Sequence, residues 1–220
     1  MLESRLQLHI DRLVERYPSL DKIEQSIIDA YQIMEECFRR ENKLLIAGNG
    51  GSAADAEHIA GELMKRFKMP RPIPSEVQHR LCEVDKVRGQ VLSKELEGAL
   101  MTIPLVAHEA LTTAYLNDVS GVGVFAQQLY GFGRPGDVFL AISTSGNSEN
   151  VMCATVVAKT LGMKVIGLTG QDGGELKDVA DITICVPETE TYKIQELHLP
   201  IYHCLCLMLE EKFFGNNMEQ

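Results

Sequence analysis

Five short apolar runs lie near residues 43–47, 103–107, 137–142, 164–168 and 182–186, and helix-period segments separate most of them. Runs this short and this continuously apolar read as strands buried on both faces. Strand alternating with helix predicts parallel βαβ units and a doubly wound α/β sheet of five strands. The run at 103–107 is the weakest of the five, because Pro104 removes a ladder donor. Ahead of the first run, residues 1–40 predict a pair of helices. Leu2, Leu6, Ile10, Leu13 and Tyr17 recur at helical spacing, as do Leu20, Ile23, Ile27, Tyr31, Met34 and Phe38. Pro18-Ser19 separates the two sets, and Ser19 is the expected N-cap of the second. A pair this apolar must cover either the main domain or a partner subunit. The 220 residues suit one α/β domain with an appendage, or two very small domains, and the chain 1–220 is read as one domain.

Two loops at expected strand-to-helix junctions carry the chemistry. Gly48-Asn49-Gly50-Gly51-Ser52 follows the first run and opens a helix expected over Ala53 to about Phe67. Glycines let the backbone approach a ligand closely, and the helix start offers free N–H groups and a positive dipole end. Ser52 with Asp55 has the spacing of a capping box. Gly48-x-Gly50-x-x-Ala53 also meets the loose dinucleotide fingerprint. That reading expects an acid about 20 residues on, and Arg66-Phe67-Lys68-Met69-Pro70 supplies none. The second loop, Ser143-Thr144-Ser145-Gly146-Asn147-Ser148, sets four hydroxyls and a glycine at another such junction. Each hydroxyl can donate to a phosphate oxygen, and a plain turn rarely needs so many. No lysine stands in a G-K-S/T context, which excludes a nucleotide P-loop.

The formal net charge of −10 argues against general nucleic-acid binding, which needs a basic footprint. A small anion is still acceptable, because backbone N–H groups hold phosphate locally. The six cysteines form no C-x-x-C pair and read as reduced thiols of a cytoplasmic protein. The first residues lack the apolar core of a signal peptide, and no apolar run approaches the ~18 residues that a membrane span needs.

His58 and Glu62 stand four apart on the expected first βα helix, which puts them on one face. Gln195 and His203 fall in a second helical stretch, from Ile194 to about Phe213, and share a face only loosely. By spacing alone, each pair is equally compatible with a solvated surface pair or with packing. Residues 70–98 hold Pro70, Pro72 and Pro74, followed by a charged stretch with Val77, Leu81, Val84, Val87 and Val91 at helix-like spacing. They read as an inserted helix or a mobile flap.

The Ser143–Ser148 loop is similar to the phosphate loop of SIS (sugar isomerase) domains, and Gly48–Ser52 resembles their first βα loop. The resemblance covers about residues 1–69 and 99–214, and within the family it is nearest to the phosphoheptose isomerases. It implies a three-layer αβα, flavodoxin-like fold with a five-stranded parallel sheet. It also implies dimers or tetramers in which N-terminal helices such as 1–40 pack between subunits and neighbours complete the active sites. The activity implied is aldose–ketose isomerisation of sedoheptulose 7-phosphate to D-glycero-D-manno-heptose 7-phosphate.

By the same resemblance, Glu62 is the base and His203 its partner acid, while His58, Glu62, Gln195 and His203 form a zinc-binding set. The substrate would be bound by Asn49, Gly50, Gly51, Ser52, His58, Glu62, Asn117, Asp118, Ser143, Thr144, Ser145, Ser148 and Gln195. A glutamate bound to zinc is a poorer base, so either the metal exchanges during turnover or the roles differ. Three features depart from the group's pattern. The stretch 70–98 is long, Tyr192 replaces an expected aspartate, and Pro200 lies between Gln195 and His203. The alternatives are an isomerase of another sugar phosphate, or a non-catalytic relative that binds the replication initiator DnaA. Glu62, His203 and a hydroxyl loop unbroken by charge favour the enzyme. His79, His108 and His198 have no matching role, although His198 could support Gln195.

Overall fold

The computed structural model describes residues 2–215, so Met1 and residues 216–220 of the domain read as 1–220 lie outside the described residues. The strands are β1 (Leu44–Ala47), β2 (Thr102–Pro104), β3 (Val138–Ile142), β4 (Lys164–Thr169) and β5 (Ile182–Cys185). All neighbours pair in parallel, in the order β2-β1-β3-β4-β5. This is the doubly wound α/β arrangement expected from the alternation of apolar runs and helices. The proline settles the weakest run: β2 stops at Pro104, and Leu105–Ala107 turns into a short 3₁₀ helix.

The helices are α1 (Ser4–Arg16), α2 (Glu24–Arg39), α3 (Gly51–Met64), α4 (Ser75–Val84), α5 (Lys86–Glu95), α6 (Glu109–Asp118), α7 (Val124–Phe132), α8 (Glu149–Thr160), α9 (Leu176–Val179) and α10 (Thr191–Phe214). Successive strand residues point to opposite faces, and the two cores follow that period. Leu44, Ile46, Val138, Leu140, Ile166 and Leu168 pack under α1, α2, α3 and α10. Leu45, Ala47, Phe139, Ala141 and Val165 pack under α7 and α8. The result is three layers, αβα.

The N-terminal pair is present, with one local correction. Pro18–Ile23 forms a 3₁₀ turn, and Ile23 precedes α2 without a side-chain cap, so Ser19 is not its N-cap. Leu6, Ile10, Leu13, Ile27, Tyr31 and Met34 are buried against the domain's own α10 layer. Residues 75–95 are ordered as a hairpin of two helices, α4 and α5, closed at its base by a bridge between Pro72 and Glu97. Neither expectation for this stretch, one helix or a flap, describes it. Asp85 makes the turn, accepting from the N–H groups of Val87 and Arg88 at 3.0 and 2.9 Å. All six cysteines are unpaired. Among the described residues no helix is long and apolar enough to cross a membrane.

Candidate active site

Strand order decides where the two loops meet. From β1 the chain proceeds to β2 on one side of the sheet, and from β3 to β4 on the other, so β1 and β3 flank the switch point. In open α/β sheets the crevice at the carboxyl ends of such strands is the ligand site. Gly48–Gly50 leaves β1 and Ser143–Ser148 leaves β3, so both loops border that crevice. Gly50 sits at φ +56°, just before α3. Gly146 sits at φ +67°, where a Cβ would lie 1.9 Å from the carbonyl oxygen of Gly173.

The second loop is knotted by its own hydroxyls. Ser143 Oγ donates to Ser148 Oγ at 3.0 Å, and the N–H of Asn147 donates to Ser145 Oγ at 3.1 Å. Ser148 precedes α8 as its N-cap without a side-chain cap bond, which leaves first-turn N–H groups toward the crevice. Asn49 and Asn150 exchange two 2.9 Å hydrogen bonds and tie the two loops together. The capping box proposed for Ser52 and Asp55 does not form. Gly50 is the N-cap of α3 with no side-chain bond, and the helix runs Gly51–Met64, two residues earlier at its start and three shorter at its end than expected. Ser52 is buried, and Asp55 has another partner.

That partner belongs to a cluster of side chains from α3 and α10. His58 Nε2 lies 3.4 Å from Glu62 Oε1 and 3.5 Å from His203 Nε2. The two imidazoles meet edge to face, with centroids 5.0 Å apart, and Phe67 covers His203 at 5.4 Å. The other oxygen of Glu62 faces Lys65 Nζ at 3.3 Å. His58 Nδ1 is 3.0 Å from the Tyr202 hydroxyl, which donates to Asp55 Oδ1 at 3.1 Å. Burial lowers the pKa of His203, the His58 charge lowers it further, and Glu62 opposes both, so His203 is a neutral imidazole near pH 7.

The donors fit a zinc ion in chemistry and partly in spacing. Two ligand atoms of a tetrahedral site with bonds of ~2.0–2.1 Å lie about 3.3–3.4 Å apart, close to the 3.4 and 3.5 Å separations around His58 Nε2. Among the described residues no three His, Cys, Asp or Glu side chains converge on one point as a ligand group. Gln195 lies about two turns before His203 on α10 and rests on Gly51, about two turns before His58 on α3. A Cβ on Gly51 would lie 2.6 Å from Gln195 Nε2, so the amide rests on the first residue of α3.

Other expected residues stand apart from this cluster. Asn117 and Asp118 are exposed at the end of α6 and bond to each other at 2.8 Å. Tyr192 is 57% exposed in the first turn of α10. His198 is buried and bonds through Nε2 to the carbonyl of Thr169 at 3.2 Å, so it supports the end of β4 rather than Gln195. His108 pairs with Gln128 at 2.8 Å, and His79 belongs to the α4–α5 hairpin. Pro200 lies well inside α10, which begins at Thr191 and continues to Phe214, so it does not mark a helix start. Sequence reasoning missed Tyr202, Asn150 and Arg71, and gave Asp55 a capping role in place of its bond to Tyr202. Tyr202 adjoins His203 and Asp55 lies one turn before His58, which was the available signal. Arg71 donates to the carbonyls of Glu62 and Leu63, both at 2.9 Å, and to Glu210 Oε1 at 2.9 Å. It thereby fixes the end of α3 that carries Glu62.

An open parallel sheet with a hydroxyl- and glycine-lined crevice at its switch point defines the class: an α/β protein built to hold a small anionic ligand. The chain matches the SIS domain family over residues 10–80 and 97–170. It is 39% identical to the phosphoheptose isomerase of Nitratiruptor sp. over 93% of this chain and 98% of that one. It is 37% identical to the phosphoheptose isomerase of Coxiella burnetii over 90% and 88%. Among solved structures, phosphoheptose isomerase GmhA from Neisseria gonorrhoeae superposes with a TM-score of 0.70 at 31% identity, covering 95% of this chain and 99% of that one. The enzyme from Francisella tularensis gives 0.71 at 28% identity, over 96% and 100%. The chain belongs to the SIS-domain family, in its phosphoheptose isomerase group.

Proposed function

We propose that this chain is an aldose–ketose isomerase that converts sedoheptulose 7-phosphate to D-glycero-D-manno-heptose 7-phosphate. The observation that carries the reading is the meeting of His58 and Glu62, on the helix that the first loop opens, with His203 of α10. The relatives' name supports the sugar. The phosphate takes the hydroxyls of Ser143, Thr144, Ser145 and Ser148 and the first turn of α8. Asn49, Gly50, Gly51 and Ser52 line the other wall. Asn117 and Asp118 would contact the sugar hydroxyls.

Glu62 removes a proton from C1 of the ketose, and the C–H electrons form the C1–C2 double bond. The carbonyl oxygen at C2 takes a proton as the 1,2-enediol forms. His203, as a neutral N–H donor, gives that oxygen its proton and takes one back from O1 as the C1 carbonyl forms. Loss of the O1 proton then makes the C1 carbonyl, and C2 receives a proton from Glu62. The sum moves one hydrogen from C1 to C2 and one from O1 to O2, with no net oxidation. Zn²⁺ held by His58, Glu62, Gln195 and His203 would supply Lewis acidity toward the carbonyl. We further read the protein as cytoplasmic and as a homotetramer or homodimer, with residues 1–40 placed between subunits and no nucleic-acid or membrane partner.

The test is turnover of sedoheptulose 7-phosphate by purified protein, with Glu62→Gln in parallel. Isomerisation that the variant loses supports both substrate and base. Stabilisation by the sugar phosphate without turnover would point to another phosphosugar or a binding role. Absence of both turnover and stabilisation would overturn the reading.

A further inference from the structure

We infer that Tyr202 and Asp55 are positioning residues that fix the orientation and the tautomer of His58, keeping the Nε2 lone pair of that ring directed at Glu62 and His203. The inference rests on the proposed reading only in taking the His58–Glu62–His203 cluster as the reacting end of the site.

The geometry is a relay of three groups. Tyr202 has one hydroxyl proton, and its oxygen sits 3.1 Å from Asp55 Oδ1 and 3.0 Å from His58 Nδ1. An ionised carboxylate accepts only, so the phenol proton goes to Asp55. The phenol oxygen can then only accept from the imidazole, which places the ring proton on Nδ1 and leaves Nε2 bare. Were Asp55 protonated instead, the relay would run backward and Nε2 would carry the hydrogen. Burial does press the Asp55 carboxyl upward, against the Tyr202 hydrogen bond and the His58 charge. The direction of the relay is therefore a measurable property.

The anchor matters because His58 has little else to hold it. Its side chain is 42% exposed, whereas Tyr202 is 1% exposed and locked in α10. Two neighbouring residues of α10 thus divide the work: Tyr202 grips the ring from behind at Nδ1, and His203 meets it in front at Nε2. His58 is reached from both sides by one helix, which makes its placement on α3 depend on α10.

The experiment reads His58 directly, by two-bond ¹H–¹⁵N correlation on the metal-stripped, ¹⁵N-labelled full chain, at a pH where the ring is neutral. The His58 signals are assigned by their absence in His58→Gln. The wild-type spectrum should show hydrogen on Nδ1, and Tyr202→Phe, which removes one oxygen and keeps the ring packing, should move population to the Nε2–H form. In steady-state assays Tyr202→Phe should lower kcat about 10–100-fold with KM near the wild-type value. A wild-type Nε2–H ring overturns the inference without any variant. So does a Tyr202→Phe protein with unchanged tautomer and unchanged kcat. The tautomer is read without substrate, so a chain that failed to isomerise sedoheptulose 7-phosphate but kept the Tyr202-dependent Nδ1–H form would lose the proposed substrate and retain this inference.

Discussion

Replacing Arg71 with methionine should unfold this protein far more readily than any surface change, and the cost follows from what the guanidinium touches. Arg71 and Glu210 are 0% and 1% exposed, 2.9 Å apart. Arg71 also donates to the carbonyls of Leu63 and Glu62 and stacks on Phe214 at 4.6 Å. Methionine keeps most of the apolar stem but leaves Glu210 as a buried charge, held only by the N–H groups of Phe67 and Lys68 at 2.8 and 2.9 Å. Removing one partner of a buried pair costs about 3–5 kcal/mol. At roughly 2–4 °C per kcal/mol for chains of this size, a loss of ~4 kcal/mol lowers Tm by roughly 8–16 °C. Urea unfolding should show the midpoint falling with an unchanged slope. The double variant Arg71→Met/Glu210→Leu should recover part of the loss, because the stranded charge is gone. It should not recover all of it, because the Phe67 and Lys68 N–H groups then lack an acceptor. A loss below about 1 kcal/mol in the single variant would refute the claim that this pair ties the end of α3 to α10.

Gly51→Ala tests Gln195 without touching it. The new methyl lies 2.6 Å from the Gln195 amide, the far end of a flexible side chain, so the amide turns away while the helix holds. Turnover should fall roughly 10–100-fold with no drop in Tm, and unchanged turnover would remove Gln195 from the site. His198 should make stability acid-sensitive. Burial pushes its pKa down to about 4 from 6.5. The unfolded chain therefore binds a proton that the folded chain refuses as pH falls through that window. Stability is full above about 6.5 and drops by about 3 kcal/mol by the lower end. Urea midpoints at pH 7 and pH 4 should separate more for the wild type than for His198→Leu, and equal separations would contradict the assignment.

The sequence by itself determined the parts governed by neighbours along the chain. Short apolar runs bounded by glycine fix where strands must lie, and a glycine- or hydroxyl-rich loop before a helix fixes where an anion can bind. Those forces act over a few residues, which is why β1, β3, β4, β5 and both loops fall where the runs place them. Even Pro104 acted locally, ending β2 three residues before the end of the apolar run. The α4–α5 hairpin was only partly legible, because its apolar spacing does not say where Asp85 turns the chain back.

What joins distant segments was decided only by the tertiary structure. Strand order set β1 beside β3 and brought the Asn49 and Ser143 loops to one crevice, and no local pattern encodes a switch point. Asp55 has the spacing of a capping residue for Ser52, yet its carboxylate turns to Tyr202, 147 residues away, because a hydroxyl buried in α10 needs an acceptor and α3 presents one. Arg71 looks like one more charge in a proline-rich loop until Glu210 is packed against it. His58 and His203 are surface-grade residues on separate helices in the sequence. They become a site because the burial of α3 and α10 on the same face of the sheet leaves their imidazoles 3.5 Å apart.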